Sequence, residues 1–69
     1  LYGGKDGLDY IRRFLKGAKQ YLKTGGVIYM EYSSPQRQKI AQILKHERYK
    51  SFEFFQDQYE KWRYMRAAA

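Results

Sequence analysis

Glu31 is the residue best placed to do chemistry. It closes the run Val27-Ile28-Tyr29-Met30-Glu31, and a carboxylate at the carboxyl end of a central strand stands where open α/β sheets bind their ligands. There it could border a substrate pocket. The plainer reading, which is preferred, is a strand-end carboxylate that faces water or pairs with a nearby lysine, a contact of small energetic value when exposed. Asp57 precedes Arg63 by one short loop, a spacing that suits an ion pair across a hairpin. Asp6 stands just before an apolar periodic run and fits a helix N-cap. His46, in Lys45-His46-Glu47-Arg48, belongs to the one residue type that titrates near neutral pH, but its neighbours are those of an exposed helix surface. One histidine and no cysteine leave neither a zinc ligand set nor a disulfide. No residue is assigned as catalytic, cofactor-binding or metal-ligating; Glu31 is retained as a substrate-pocket border.

The elements that must position these groups follow from hydrophobic periodicity. Leu8, Ile11, Leu15, Ala18 and Leu22 recur at steps of three and four, with Phe14 and Tyr21 widening the stripe, and predict a helix over 7–23. Arg12, Arg13, Lys16, Lys19 and Lys23 crowd its other side. Thr24-Gly25-Gly26 ends it, glycine taking a left-handed cap without a Cβ clash. Gly17 is the weak point, costing about 1 kcal/mol against alanine. Val27 to Tyr32 is a strand whose four leading apolar residues do not alternate, the pattern of a strand covered on both faces. Ser33-Ser34-Pro35 starts a second helix, with Ser34 as cap and Pro35 in the first turn. It runs to 47 or 48 with Ile40, Ala41, Ile43 and Leu44 as its apolar stripe. Residues 51–57 and 62–67 read as two strands, antiparallel neighbours joined by the loop 58–61. Phe52 and Phe54 share one face; Glu53, Phe55 and Asp57 share the other. The three closing alanines read as a frayed end.

The order helix, strand, helix, strand, strand is α/β, with the second helix as the crossover between two parallel strands. Sixty-nine residues give one small domain with a marginal core. A strand buried on two sides in so short a chain wants more protein than is present. The chain also begins at Leu1, inside the turn-like Leu1-Tyr2-Gly3-Gly4, so residues 1–69 are expected to be a single partial domain cut from a longer polypeptide. No stretch approaches the ~20 apolar residues of a membrane span, and an intracellular, cytoplasmic setting is the default.

Lys and Arg number 14 against 7 Asp and Glu, a formal charge of +7. A field of that sign favours polyanions. The basic residues are spread along the whole chain without a run, which favours solvated helix faces over a nucleic-acid partner.

The opening Leu1-Tyr2-Gly3-Gly4-Lys5-Asp6-Gly7-Leu8-Asp9-Tyr10 resembles the segment that follows the catalytic strand in release factor glutamine methyltransferases, the HemK family. Tyr21-Leu22-Lys23-Thr24-Gly25-Gly26 followed by a short strand and Glu31 is similar to the next part of that pattern, and the spacing from Asp57 to Arg63 to its final hairpin. The match runs nearly end to end. Two departures stand out: Tyr32-Ser33 replaces an Ile-Gly, and Gln58-Tyr59-Glu60-Lys61 lacks the glycine of the family's hairpin.

The resemblance implies the C-terminal part of a class I methyltransferase Rossmann-like sheet, supplying strands five, six and seven with two flanking helices, in local order 5-7-6 and with the last strand antiparallel. It implies S-adenosyl-L-methionine as cofactor of the intact enzyme and a peptide chain release factor as its substrate. The Gly-rich loop, the carboxylate and the Asn-Pro-Pro-Tyr motif that do this work in the family do not occur here, so the chain alone is expected to bind no cofactor. An unpaired edge along 27–32 would invite self-association. The alternative is a small basic α/β module that stacks RNA bases on Phe52, Phe54, Phe55, Trp62 and Tyr64, residues whose period-two spacing also fits a core.

Overall fold

The computed structural model describes residues 7–69. Helix α1 (Leu8–Tyr21), strand β1 (Val27–Glu31), a 3-10 turn (Ser34–Gln36), helix α2 (Arg37–His46), strand β2 (Ser51–Gln56) and strand β3 (Trp62–Ala68) follow in that order. The three strands form one sheet in the order β1-β3-β2, and both pairings are antiparallel. β1 and β2 therefore run parallel to each other without touching, with the last strand of the chain inserted between them.

Each helix buries one stripe on the same face of the sheet. Leu8, Ile11 and Leu15 of α1 meet Ile40, Ile43 and Leu44 of α2, and both meet Met65 and Ala67 of β3. Leu15, Ile40, Leu44 and Met65 are fully enclosed. Ile28 and Met30 of β1 and Phe52 and Phe54 of β2 join from the flanking strands. Truncating one enclosed leucine to alanine removes about 2–5 kcal/mol, a large share of what a domain this small can hold.

Two side chains lock the helices together at their carboxyl ends. The Tyr49 hydroxyl donates to the Leu15 carbonyl at 2.5 Å. Lys19 donates to the carbonyls of Glu47 (3.2 Å) and Arg48, placing a cation on the negative end of α2. Its ammonium also lies 5.0 Å from the centre of the Tyr49 ring. The chain leaves α2 through Arg48 in a left-handed conformation (φ 62°), and the Tyr49 N–H reaches back to the Leu44 carbonyl at 3.0 Å.

The structure corrects several expectations. α1 stops at Tyr21 rather than 23, because Leu22 turns extended (φ −79°, ψ 131°) to pack on the core. Gly25 takes positive φ (84°) in the turn beyond the helix, not at its cap. A Cβ on Gly26 would lie 2.9 Å from the Lys23 carbonyl oxygen, so both glycines are needed for the turn into β1. Phe14 and Tyr21 do not widen the core stripe. With Tyr10 they form a second, exposed stripe, in which the Tyr10 and Phe14 rings stack 6.5 Å apart. The start of α1 is Gly7 (φ 72°), and the expected Asp6 cap lies outside the described residues. Ser33, not Ser34, opens the turn before α2. Its N–H donates to the Gln36 side chain at 3.1 Å, while the Ser34 hydroxyl donates to the Trp62 carbonyl at 2.7 Å. The final alanines are not frayed: Ala67 is buried, Ala68 pairs with both neighbouring strands, and the Ala69 N–H donates to the Gly26 carbonyl at 2.9 Å.

The largest correction concerns β1. Among the described residues it is not enclosed from both sides. Ile28 and Met30 face the helices, whereas Tyr29 is 73% exposed on the opposite face. The unbroken apolar run marked a strand apolar on both faces, and only one of those faces has a covering layer here.

Gly17 has open space where a Cβ would stand, so Gly17→Ala should raise stability by about 1 kcal/mol in urea titration. Tyr49→Phe should lower it by about 1 kcal/mol. Burial, and secondarily the Glu47 carboxylate, raise the Tyr49 pKa above its ordinary value of 10.0. Its contribution is then complete below that value and lost as pH rises through the higher folded one. The variant's alkaline unfolding limb should accordingly be shallower than that of the parent.

Candidate functional site

Glu31 ends β1 at the carboxyl edge of the sheet. Its register partner on β3 is Tyr64, whose partner on β2 is Phe55. One row along, Tyr29, Arg66 and Glu53 stand abreast, with Arg66 and Glu53 3.8 Å apart. Side chains alternate across a strand, so these two rows share the face turned away from the helices. Tyr29, Glu31, Phe55 and Tyr64 border an open depression of about 400 Å³ on that face. A second depression, of about 410 Å³, reaches from Glu31 past Ser33 to Arg63. The Glu31 carboxylate has no hydrogen-bond or ion-pair partner among the described residues. It is exposed and meets no described lysine, and can accept hydrogen bonds from an amide or hydroxyl laid across the aromatic rings.

The strand end is held from beneath. The Tyr32 N–H donates to the Arg63 carbonyl at 2.9 Å. The Tyr32 ring turns into the core and meets Phe54 edge-on, centroids 5.6 Å apart. Its hydroxyl is buried without a hydrogen-bond partner among the described residues, and burial raises its pKa, opposed by the charge of Arg37. The Arg37 guanidinium lies 4.5 Å from the Trp62 ring centre, pinning α2 to β3.

Asp57 and Arg63 pair as the sequence suggested, at 2.9 Å. The carboxylate does more than pair. Asp57 also accepts the Tyr59 N–H at 2.8 Å and the Lys61 N–H at 3.0 Å. The Lys61 N–H, the largest influence, holds its pKa below the ordinary 3.8; desolvation opposes it, and the Tyr59 N–H and Arg63 add to the lowering. Glu60 stands where the hairpin needs a left-handed residue (φ 61°), the conformation that glycine adopts without a Cβ clash. Asp57 and Arg63 are thus accounted for as turn architecture.

The other residues singled out by sequence lie apart from Glu31. His46 ends α2 and is exposed at the far side of the helix layer. Phe52, Phe54 and Trp62 pack against the core, which removes them as stacking platforms; Phe55 and Tyr64 remain exposed on the outer face. Tyr32, Arg37, Lys19 and Tyr49 were not singled out. Ser33-Ser34-Pro35-Gln36 carried a readable Ser-x-x-Gln capping signal, but the tertiary partners of the others lie too far away in sequence to be read locally. Among the described residues no group of His, Asp and Glu could hold a metal ion, and no helix is long and apolar enough to cross a membrane.

Fold and site together define a small α/β unit: two helices on one face of a three-stranded antiparallel sheet, and a carboxylate among exposed aromatic rings on the other. Over 57 residues, 83% of its length, the chain is 40% identical to the release factor glutamine methyltransferase of Clostridium acetobutylicum. The chain spans about 20% of the length of that curated relative. No family model and no solved structure matches the chain.

Replacing Asp57 by Asn should lower stability at neutral pH. A depressed pKa gives stabilisation that is present above the unfolded carboxylate range and lost as pH falls through the folded value. The two proteins should therefore converge in acid melts. Glu60→Gly should raise the melting temperature, relieving roughly 1 kcal/mol of left-handed strain.

Proposed function

We propose that the chain is the C-terminal portion of an S-adenosylmethionine-dependent methyltransferase that modifies a glutamine side chain of peptide chain release factors. The observation that carries this is the 40% identity over 57 residues to such an enzyme. The fold supports it independently. A strand inserted antiparallel between two parallel strands, β1-β3-β2, fits strands five, seven and six of a seven-stranded class I sheet. The outer face supports it as well: Tyr29, Phe55 and Tyr64 are exposed at 73%, 40% and 42%, and a sheet face carrying such rings is suited to a covering layer.

In this placement the free edge of β1 pairs with a strand of the remaining polypeptide, and without it that edge drives association of the isolated chain. Gly25 and Gly26 precede a strand instead of following one, and are explained by the turn they make. No step through S-adenosylmethionine is assigned to this chain, and the methyl group is supplied by the cofactor when the intact enzyme holds it. The chain's own part is positional. β1 carries Glu31 to the end of the sheet, where its carboxylate can border the substrate pocket and accept a hydrogen bond from the target segment. The neighbouring rings exclude water from that border, a contribution to orienting a weak amide nucleophile.

Two measurements test this. Calorimetry should show no S-adenosylmethionine binding to the isolated chain; micromolar binding would contradict the division of labour. A chimera carrying this chain in place of the matching segment of the Clostridium acetobutylicum enzyme should bind the cofactor and methylate release factor. Glu31→Gln in that chimera should raise KM severalfold with folding unchanged. A folded, cofactor-binding chimera without transfer to release factor would overturn the substrate, and one that cannot fold would overturn the placement.

A further inference from the structure

The sequence scatters its basic residues; the fold gathers some of them. α1 and α2 lie side by side and run in the same direction: Gly7 approaches Gln36 at their amino ends, and Lys19 reaches Glu47 and Arg48 at their carboxyl ends. Between them, on the surface away from the sheet, lies a groove of about 520 Å³. Arg12, Arg13 and Lys16 line it from α1 and Lys39 and His46 from α2, with Glu47 the one carboxylate lining it among the described residues. Arg12 is engaged by Asp9 at 2.8 Å. Arg13 and Lys16 meet no carboxylate among the described residues.

We propose that this groove binds the phosphodiester backbone of a nucleic acid strand without regard to base sequence. A merely solubilising surface intersperses charges of both signs. Here Arg13 and Lys16 stand three residues apart on α1 without a carboxylate partner among the described residues, and like charges at that spacing destabilise a helix. Arg13 and Lys16 on one wall and Lys39 on the other also focus the potential between them. Arginine forks match phosphate oxygens in geometry as well as charge. Two features favour a phosphate backbone over an acidic peptide. The lining offers no aromatic side chain and one nearly buried apolar one, Ile43, so it lacks pockets to anchor peptide side chains. The exposed rings Tyr10, Phe14 and Tyr21 of α1 lie outside the groove lining, and Phe55 and Tyr64 lie on the opposite side of the molecule; stacking on any of them would be indifferent to base identity. The proposal is independent of the methyltransferase assignment.

The test is fluorescence anisotropy with labelled oligouridylate and oligothymidylate of about ten nucleotides, titrated across potassium chloride concentrations. Both should bind with similar affinity and a log–log salt slope of about −2 to −3, the signature of three or four phosphates on a single strand. Arg13→Gln with Lys16→Gln should weaken binding roughly tenfold at low salt and flatten the slope by about one. The charge-matched control Lys50→Gln with Lys61→Gln, outside the groove, should change affinity less than about twofold. Circular dichroism should show both variants folded, the altered residues being exposed. Equal weakening by both double variants would reduce the effect to net charge and overturn the proposal. So would unaltered binding by the groove variant, or displacement of the oligonucleotide by oligoglutamate of equal charge as readily as by unlabelled oligonucleotide, which would make the partner an acidic protein.

Discussion

The insertion of β3 between β1 and β2 is the constraint on which the rest of the structure depends. Neither outer strand touches the other, so each obtains its ladder from the final strand of the chain. Met65 and Ala67 of that strand are fully enclosed and form the surface against which Leu15, Ile40 and Leu44 pack. Such pairings join residues far apart in sequence and are costly to close before the core rewards them. The helix pair is therefore secured separately by Lys19 and Tyr49, at a site that needs no sheet.

The two faces of the sheet differ in completeness. The inner face carries Ile28, Met30, Phe52, Phe54 and Met65 under two helices. The outer face carries Tyr29, Glu31, Phe55 and Tyr64, and among the described residues no element covers it. The Tyr10, Phe14 and Tyr21 stripe on α1 is a second apolar surface left open. Domains are layered, each apolar face buried on another element, and the partial domain proposed here leaves one layer of that kind to be supplied. Glu31 lies at the strand end beside the uncovered face, a position that suits the pocket border proposed for it.

Much of the architecture was legible in the residues. The stripe Leu8, Ile11, Leu15 and the stripe Ile40, Ile43, Leu44 placed both helices, and period-two alternation at Phe52 and Phe54 divided β2 correctly between its faces. Boundaries were less legible, because they depend on partners elsewhere. Leu22 leaves the helix to reach the core. Ser33 stands at the N-cap position, while the Ser34 hydroxyl reaches across to the Trp62 carbonyl. The ion pair of Asp57 with Arg63 was legible from its spacing, and the position of Glu31 at the end of β1 from the apolar run before it; the hydrogen bonds that make Asp57 a turn-former arise from backbone geometry that no spacing reveals.

By itself the sequence determined the number, type and order of the elements and the apolar character of β1, since local periodicity and turn chemistry act over a few residues. Only the tertiary structure decided which face of β1 is covered, which aromatics are core and which are surface, and that dispersed lysines and arginines converge on one groove. Those outcomes depend on how elements pack across the chain, and hydrophobic periodicity carries no information about which neighbour a face will meet.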